Sequence, residues 1–185
     1  EINSESVKNL VENFDKRIIF LSTCSVYGAQ DGVLTEDSGT NPLSEYASSK
    51  LKAEEYLKDS DALIFRLGTL FGLSDEFSRV RLDLVVNILT AKALIDKKIS
   101  VFGGEQWRPL LHVNDVSNAI SHCLKTDVSG IYNLHHKNYR IIDIAREIEN
   151  KVKDVELEVT PMSFEDARNY QVSSQKLLDE TGFEA

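Results

Sequence analysis

Val7, Leu10, Val11 and Phe14 fall on one helical face, so the chain opens on a predicted helix that ends at Lys16-Arg17. Ile18-Ile19-Phe20-Leu21 follows as a short unbroken apolar run, the pattern of a strand buried on both faces. A polar, glycine-containing loop is expected from about Ser22 to Leu43. Ser44 has the side chain of an N-cap, and Tyr46, Leu51, Ala53, Tyr56 and Leu57 predict a helix reaching about Lys58. Asp61 leads into a second apolar run, Ala62 to Leu67. Strand, long loop, helix and strand make a βαβ unit, whose strands run parallel through a right-handed crossover.

The second half is more mixed. Leu82 to Lys98 reads as a long amphipathic helix, Ile99 to Phe102 as a short strand ending at Gly103-Gly104, and Pro109 to Val113 as another extended run. Asn114 or Asp115 is the expected cap of a helix running to about Leu124. A strand at Ile131 to Leu134, a helix at Ile141 to Val152 and an alternating stretch at Val155 to Val159 follow. A last short helix, Ser173 to Thr181, is stopped by Gly182. No internal repeat is visible. The fold class is α/β, a parallel-sheet half followed by a smaller mixed lobe.

Composition narrows the function. At 185 residues the chain suffices for one domain, or one domain and a fragment of a second. A 42% hydrophobic content supports a real core, and the net charge of −9 with no basic run argues against nucleic-acid binding. Cys24 and Cys123 are too few and too far apart for a disulfide framework. The adjacent His135 and His136 would point opposite ways in a strand, so no metal site is expected. No apolar stretch approaches the ~20 residues of a membrane span, and Glu1 to Leu10 lacks the pattern of a signal peptide. A reduced, cytoplasmic, soluble protein is the expectation.

The most specific chemistry lies in Tyr46-Ala47-Ser48-Ser49-Lys50. Residues four apart on a helix share a face, one turn from each other. A tyrosine with its ordinary pKa of about 10 is a poor base near neutrality, and a lysine ammonium nearby stabilises the phenolate. Thr23, at the end of the preceding strand, is a good candidate for a hydroxyl that shares the moving proton. Such a site can deprotonate an alcohol as hydride leaves its carbon, or run in reverse. On spacing alone, the pair equally describes a tyrosine packed under a solvated lysine.

Context decides between them. The run from Ile19 through Ser22-Thr23-Cys24-Ser25-Val26-Tyr27-Gly28, then Leu34-Thr35-Glu36-Asp37, Asn41-Pro42-Leu43-Ser44 and Tyr46 to Lys50, resembles the extended short-chain dehydrogenases/reductases. These include the NAD-dependent epimerases and dehydratases of nucleotide sugars. Leu51-Lys52-Ala53-Glu54, Arg66 to Gly72, Val101 to Gly104, Arg108, His112 to Val116, Gly130 to Leu134, Asp166 to Arg168 and Leu178 to Phe183 continue the likeness in the family's order. It covers nearly the whole chain, from about Asn3 to Phe183.

The resemblance implies a partial Rossmann-type, doubly wound parallel sheet with a smaller mixed α/β substrate-binding lobe. Residues 1–75 would be the C-terminal part of the NAD(P)-binding domain, and 76–185 mainly the nucleotide-sugar lobe, with some elements returning to the sheet. Tyr46 would be the acid/base, and Lys50 its pKa-lowering partner and a contact to the cofactor ribose. Thr23 would orient the substrate oxygen, and Ser22 and Leu67 would join Tyr46 and Lys50 in the cofactor site. Cys24, Ser25 and Thr69 would contact substrate, with Asn3 in a supporting role. Arg108 would clamp the pyrophosphate and Arg168 a phosphate or ribose, tasks that suit the guanidinium fork.

Departures from the family refine this. Cys24 and Ser25 stand where the sugar 4,6-dehydratases carry an acidic pair, which disfavours dehydration; epimerisation or keto-sugar reduction remain. Cys24 is read as a packed thiol beside the active strand, with a nucleophile or acid as the alternative. Thr69 stands where many members have an asparagine. No Gly-rich dinucleotide turn is present, so a fragment lacking that segment is expected, with an unpaired sheet edge. The expected function is therefore an NAD- or NADP-dependent epimerase or reductase of a nucleoside-diphosphate sugar. Its expected partners are a homodimer mate across Glu5–Phe14 and Ser44–Lys58, or a missing N-terminal half. The competing class is a noncatalytic module that binds nucleotide sugars or a protein.

Overall fold

The computed structural model describes residues 2–73, 75–77, 81–161 and 169–185. In chain order the first half forms α1 (Ile2–Asn13), β1 (Ile18–Thr23), a 3-10 turn (Cys24–Tyr27), β2 (Ala29–Leu34), α2 (Glu45–Leu57), β3 (Ala62–Leu67), β4 (Thr69–Phe71) and α3 (Val85–Ile95). The second half forms β5 (Lys98–Phe102), β6 (Trp107–His112), α4 (Val113–Cys123), β7 (Gly130–Leu134), β8 (Lys137–Arg140), α5 (Ile141–Lys151), β9 (Glu156–Thr160), β10 (Asn169–Val172) and α6 (Gln175–Thr181).

The unbroken apolar run of β3 makes it the middle of a parallel sheet, ordered β1-β3-β7, and every β3 residue is buried. Alternation along β3 feeds two cores. Leu63 and Phe65 pack with Leu111, Val116, Ala119 and Cys123, while Ala62 and Ile64 pack with Val7, Ala53 and Leu57 of α1 and α2. Helices thus cover both faces, as a parallel sheet requires. Register puts Thr23 beside Leu67 and Leu67 beside Leu134, so the carboxyl ends of the three strands are level. Among the described residues β1 has β3 as its one sheet neighbour, and Ile19, Phe20 and Leu21 are only partly covered.

A second core joins α3, β5 and α5 through Leu89, Ala93, Ile99, Val101, Ile144, Ala145 and Ile148. β5 pairs in parallel with β9, and β4-β6-β8 forms a third sheet, antiparallel at its β6-β8 pair. No helix among the described residues is long and apolar enough to cross a membrane. Cys24 and Cys123 are both free and buried.

Three expectations need correction. The polar stretch 22–43 is not all loop: it holds the 3-10 turn and β2, which pairs with the distant β10. Most β2 positions face solvent or lie half-buried, so Ala-Gln-Asp-Gly carries no strand period of its own. β8 is equally polar and exists through its pairing with β6. The 82–98 helix shrinks to α3, and its apolar residues lie all round, with Leu94 and Ile95 exposed. Finally, His112 rather than Asn114 or Asp115 caps α4, its ring nitrogen accepting the Asn114 N–H at 3.2 Å.

Candidate active site

Thr23 ends β1, and its hydroxyl accepts the Ser25 N–H at 3.1 Å, capping the 3-10 turn. That acceptor role leaves the hydroxyl proton to be donated elsewhere. Ser44 caps α2 as expected, accepting the Ala47 N–H at 3.2 Å. The cap fixes where the helix starts, and so where Tyr46, in its first turn, emerges. Both features open on one cavity at the carboxyl ends of β1 and β3, where open parallel sheets bind ligands. Its volume is about 530 Å³. Of the expected site residues, Ser22, Thr23, Ser25, Tyr46, Leu67 and Thr69 line it.

Tyr46 is half exposed. Burial raises its pKa, and the charge acting against that rise is Arg81, also on the cavity wall. The expected depression by Lys50 is not seen in this chain. The Lys50 ammonium instead donates to the Leu21 carbonyl oxygen at 2.8 Å and sits 4.6 Å from the centre of the Phe20 ring. Partial burial holds its own pKa below the usual lysine value. Lys50 therefore ties α2 to β1, on the strand that ends in Thr23. Asn3, given a supporting role, donates to Ser49 of α2 at 3.4 Å.

Ser22 reaches the cavity wall, but its hydroxyl is engaged below it, donating to Glu54 at 2.5 Å. Cys24, expected to touch substrate, is fully buried; its thiol donates to the Arg66 carbonyl oxygen at 3.1 Å. Burial pushes the thiol pKa well up, so it carries no thiolate near neutrality and is a packed thiol. Arg108 is buried in β6, with Nη1 on the Trp107 carbonyl oxygen at 2.8 Å, and does not line the cavity. Its strand pairs with β4, Thr69 lying beside Leu110. Arg168 lies outside the described residues.

Sequence reasoning missed Arg81, Asp83 and Tyr170 on the cavity wall. Arg81 holds Asp83 through a two-point ion pair, with contacts of 2.8 and 2.7 Å. Tyr170 reaches Ser25, hydroxyl to hydroxyl, at 3.3 Å. It comes from β10, whose pairing with β2 has no local signal, so nothing in the linear pattern pointed to it.

His135, in neither strand nor helix, has Nδ1 2.6 Å from the Ser174 hydroxyl and accepts from the Asn138 amide at Nε2, 3.2 Å away. Burial pushes its pKa down to about 4, so the ring is neutral and satisfied.

A parallel sheet covered on both faces, with Thr23 and Tyr46 across a cavity at its carboxyl edge, defines an α/β protein of the dinucleotide-fold type. Residues 1–134 match the model of the NAD dependent epimerase/dehydratase family, and the chain belongs to that family. It is 31% identical over 117 residues to an uncharacterized UDP-glucose epimerase, YtcB, of Bacillus subtilis (strain 168), covering 60% of this chain and 35% of that protein. It is 27% identical over 172 residues to a UDP-glucose 4-epimerase of Azospirillum brasilense, covering 82% of this chain and 49% of that protein. The structure also resembles UDP-glucuronic acid 4-epimerase from Bacillus cereus, solved with UDP-glucuronic acid and NAD. There the TM-score is 0.84 at 25% identity, over 98% of this chain and 62% of that one. The chain thus spans about half or less of the length of the curated relatives it matches.

Proposed function

We propose that the complete protein is an NAD(P)-dependent epimerase of a nucleoside-diphosphate sugar, with Tyr46 as its acid/base. The observation that carries the reading is the shared cavity of Tyr46, Thr23 and Ser25 at the carboxyl ends of β1 and β3. Its mix of apolar walls (Leu43, Leu67, Leu70) and hydroxyls fits the nicotinamide-ribose end of a dinucleotide beside a sugar. Bound NAD(P) supplies the hydride acceptor and donor. In this proposal residues 1–75 belong to the cofactor domain and 76–185 mainly to the substrate lobe.

In its phenolate form Tyr46 takes the carbinol O–H proton, becoming the phenol, as the C–H bond gives up its hydride and the carbon–oxygen bond becomes a carbonyl. Thr23 donates to the same oxygen and holds it near Tyr46. Return of hydride to the opposite face, with the proton coming back from the Tyr46 hydroxyl, leaves the epimer, and no net oxidation occurs. Arg81 already acts against the rise of the Tyr46 pKa, whereas Lys50, one turn along α2, would have to leave the Leu21 carbonyl oxygen to act on it. Lys50 would contact the cofactor ribose when it is bound, and Ser22 and Leu67 would lie against the cofactor. Ser25 and Thr69 would contact the sugar, and Arg108 the diphosphate.

The curated relatives above are UDP-sugar epimerases, which favours epimerisation of a UDP-hexose over net reduction. Incubating the complete protein with UDP-glucose or UDP-glucuronic acid, without added reduced cofactor, tests this by proton NMR of the sugar. A C4 epimer is the expected product. Turnover that consumes stoichiometric reduced cofactor would assign a reductase instead.

A further inference from the structure

An arginine in the most buried strand of the molecule is out of place. Every other residue of β3 is apolar, as a strand covered on both faces should be, yet Arg66 is 4% exposed. In the parallel register Arg66 lies beside Ser22 of β1 on one side and Asn133 of β7 on the other. These three polar residues cross the sheet as one row, on the α2 side. The next row is Thr23, Leu67 and Leu134, and its first two members line the cavity.

Above the row sits Glu54 of α2, 4% exposed. Arg66 grips it with a fork: Nη2 donates to Oε2 at 2.7 Å, and Nε lies 3.1 and 3.2 Å from the two carboxylate oxygens. The Ser22 hydroxyl donates to the same carboxylate at 2.5 Å. On its other side Arg66 Nη1 donates to the Tyr27 hydroxyl at 3.0 Å, and that hydroxyl donates to Asn133 at 2.8 Å. Tyr27 closes the 3-10 turn that follows Thr23. Burial alone would lower the Arg66 pKa, but the hydrogen bonds and charge of Glu54 outweigh it and leave the guanidinium firmly charged.

A buried ion pair is poor value as a stabiliser, since apolar residues of similar volume often do as well or better. A two-point fork does fix geometry, because it sets both the distance and the angle between its partners. The elements joined here are those that carry the proposed chemistry. Glu54 lies one turn beyond Lys50 and two turns beyond Tyr46 on α2, Ser22 directly precedes Thr23, and Arg66 directly precedes Leu67.

We propose that Glu54 and Arg66 are positioning residues that set the seat of α2 on the sheet, and so the placement of Tyr46 relative to Thr23. This rests on the acid/base reading of Tyr46. The pair touches neither substrate nor cofactor; it acts through the helix and the strand ends.

The experiment uses the complete protein and the double variant Glu54→Leu/Arg66→Met, which removes both charges at similar volume. The expected result is a melting temperature close to wild type, with kcat lower by about tenfold or more and KM for the nucleotide sugar within about twofold. The Tyr46 ¹³Cζ titration should move by about half a unit or more, a readout independent of turnover. A double variant with wild-type stability, kcat and Tyr46 titration overturns the inference, because a purely structural pair would be replaced without loss. Should the double variant not fold, Arg66→Lys decides. It keeps the charge and loses the fork, so kcat should fall by about threefold or more at unchanged KM, and a wild-type kcat overturns the inference. Tyr46→Phe in the same assay separates the two ideas. Loss of turnover there, with an unaffected double variant, removes the positioning role alone; full turnover in Tyr46→Phe removes the acid/base reading itself.

Discussion

The Lys50 ammonium donates to the Leu21 carbonyl oxygen at 2.8 Å, a side chain of α2 anchored on the backbone of β1 two residues before Thr23. The contact links helix and strand directly, and it takes the lysine charge into a partly buried setting against Phe20.

That setting gives a pH dependence. Burial lowers the folded-state pKa of Lys50, so over the interval between the folded and unfolded values the folded protein binds fewer protons there than the unfolded chain. The penalty on the charged form is therefore full below the lowered pKa and disappears as pH rises through the ordinary lysine value of about 10.4. Urea unfolding of wild type and Lys50→Met at pH 8 and at pH 10.5 should show wild type gaining on the variant at the higher pH. A constant or shrinking difference contradicts the burial argument.

Tyr46 titrates against a different background. Burial raises its pKa, with Arg81 as the counteracting charge. Arg81→Ala should raise the Tyr46 pKa further, as read by ¹³Cζ chemical shift. Because Arg81 is well exposed, the difference should shrink as ionic strength rises. An unchanged or lowered midpoint contradicts the coupling.

The turn after Thr23 depends on a glycine. Gly28 has φ +74°, and a Cβ there would lie 2.0 Å from the Asn41 carbonyl oxygen, a backbone atom that cannot swing away. Gly32 has φ +82° with open space around it. Gly32→Ala should cost about 1–2 kcal/mol from its left-handed conformation. Gly28→Ala should cost that and more, since the loop at Asn41 must also shift. Thermal unfolding of the two variants gives the ranking, and equal losses contradict it.

The helix cap is a smaller effect with a local signature. Ser44→Ala removes the acceptor of the Ala47 N–H and should cost about 1 kcal/mol. Amide exchange should quicken chiefly in the first turn of α2, around Tyr46. Uniform acceleration along the helix would mean that Ser44 acts on more than its start.

Legibility in the sequence followed locality. β1, α2 and β3 announce themselves because an apolar run or a capped amphipathic helix is a local pattern, and the parallel pairing of β1 with β3 follows from their order. The cluster of Ser22, Thr23, Ser25, Tyr46, Leu67 and Thr69 was legible for the same reason, since strand ends and a helix start converge in a βαβ unit. β2, β8 and β10 were not, because polar strands take their identity from distant partners, and Tyr170 was lost with β10. The packing of Cys24 was read from its place beside the strand, but the engagement of Lys50 by Leu21 was hidden, since it depends on how the helix lies on the sheet. Arg66 stood in plain view within an apolar run, and its partner Glu54 lay in the adjacent helix; only the packing of α2 on the sheet joins them.

The central claim is that Tyr46 moves the proton of the reacting hydroxyl, and Tyr46→Phe in the complete protein tests it most directly. The substitution keeps the ring and removes the one atom assigned the chemistry. The predicted result is a fall in kcat of about 10²–10⁴-fold, with melting temperature and nucleotide-sugar binding preserved. Turnover at the wild-type rate by a folded Tyr46→Phe protein would contradict the account.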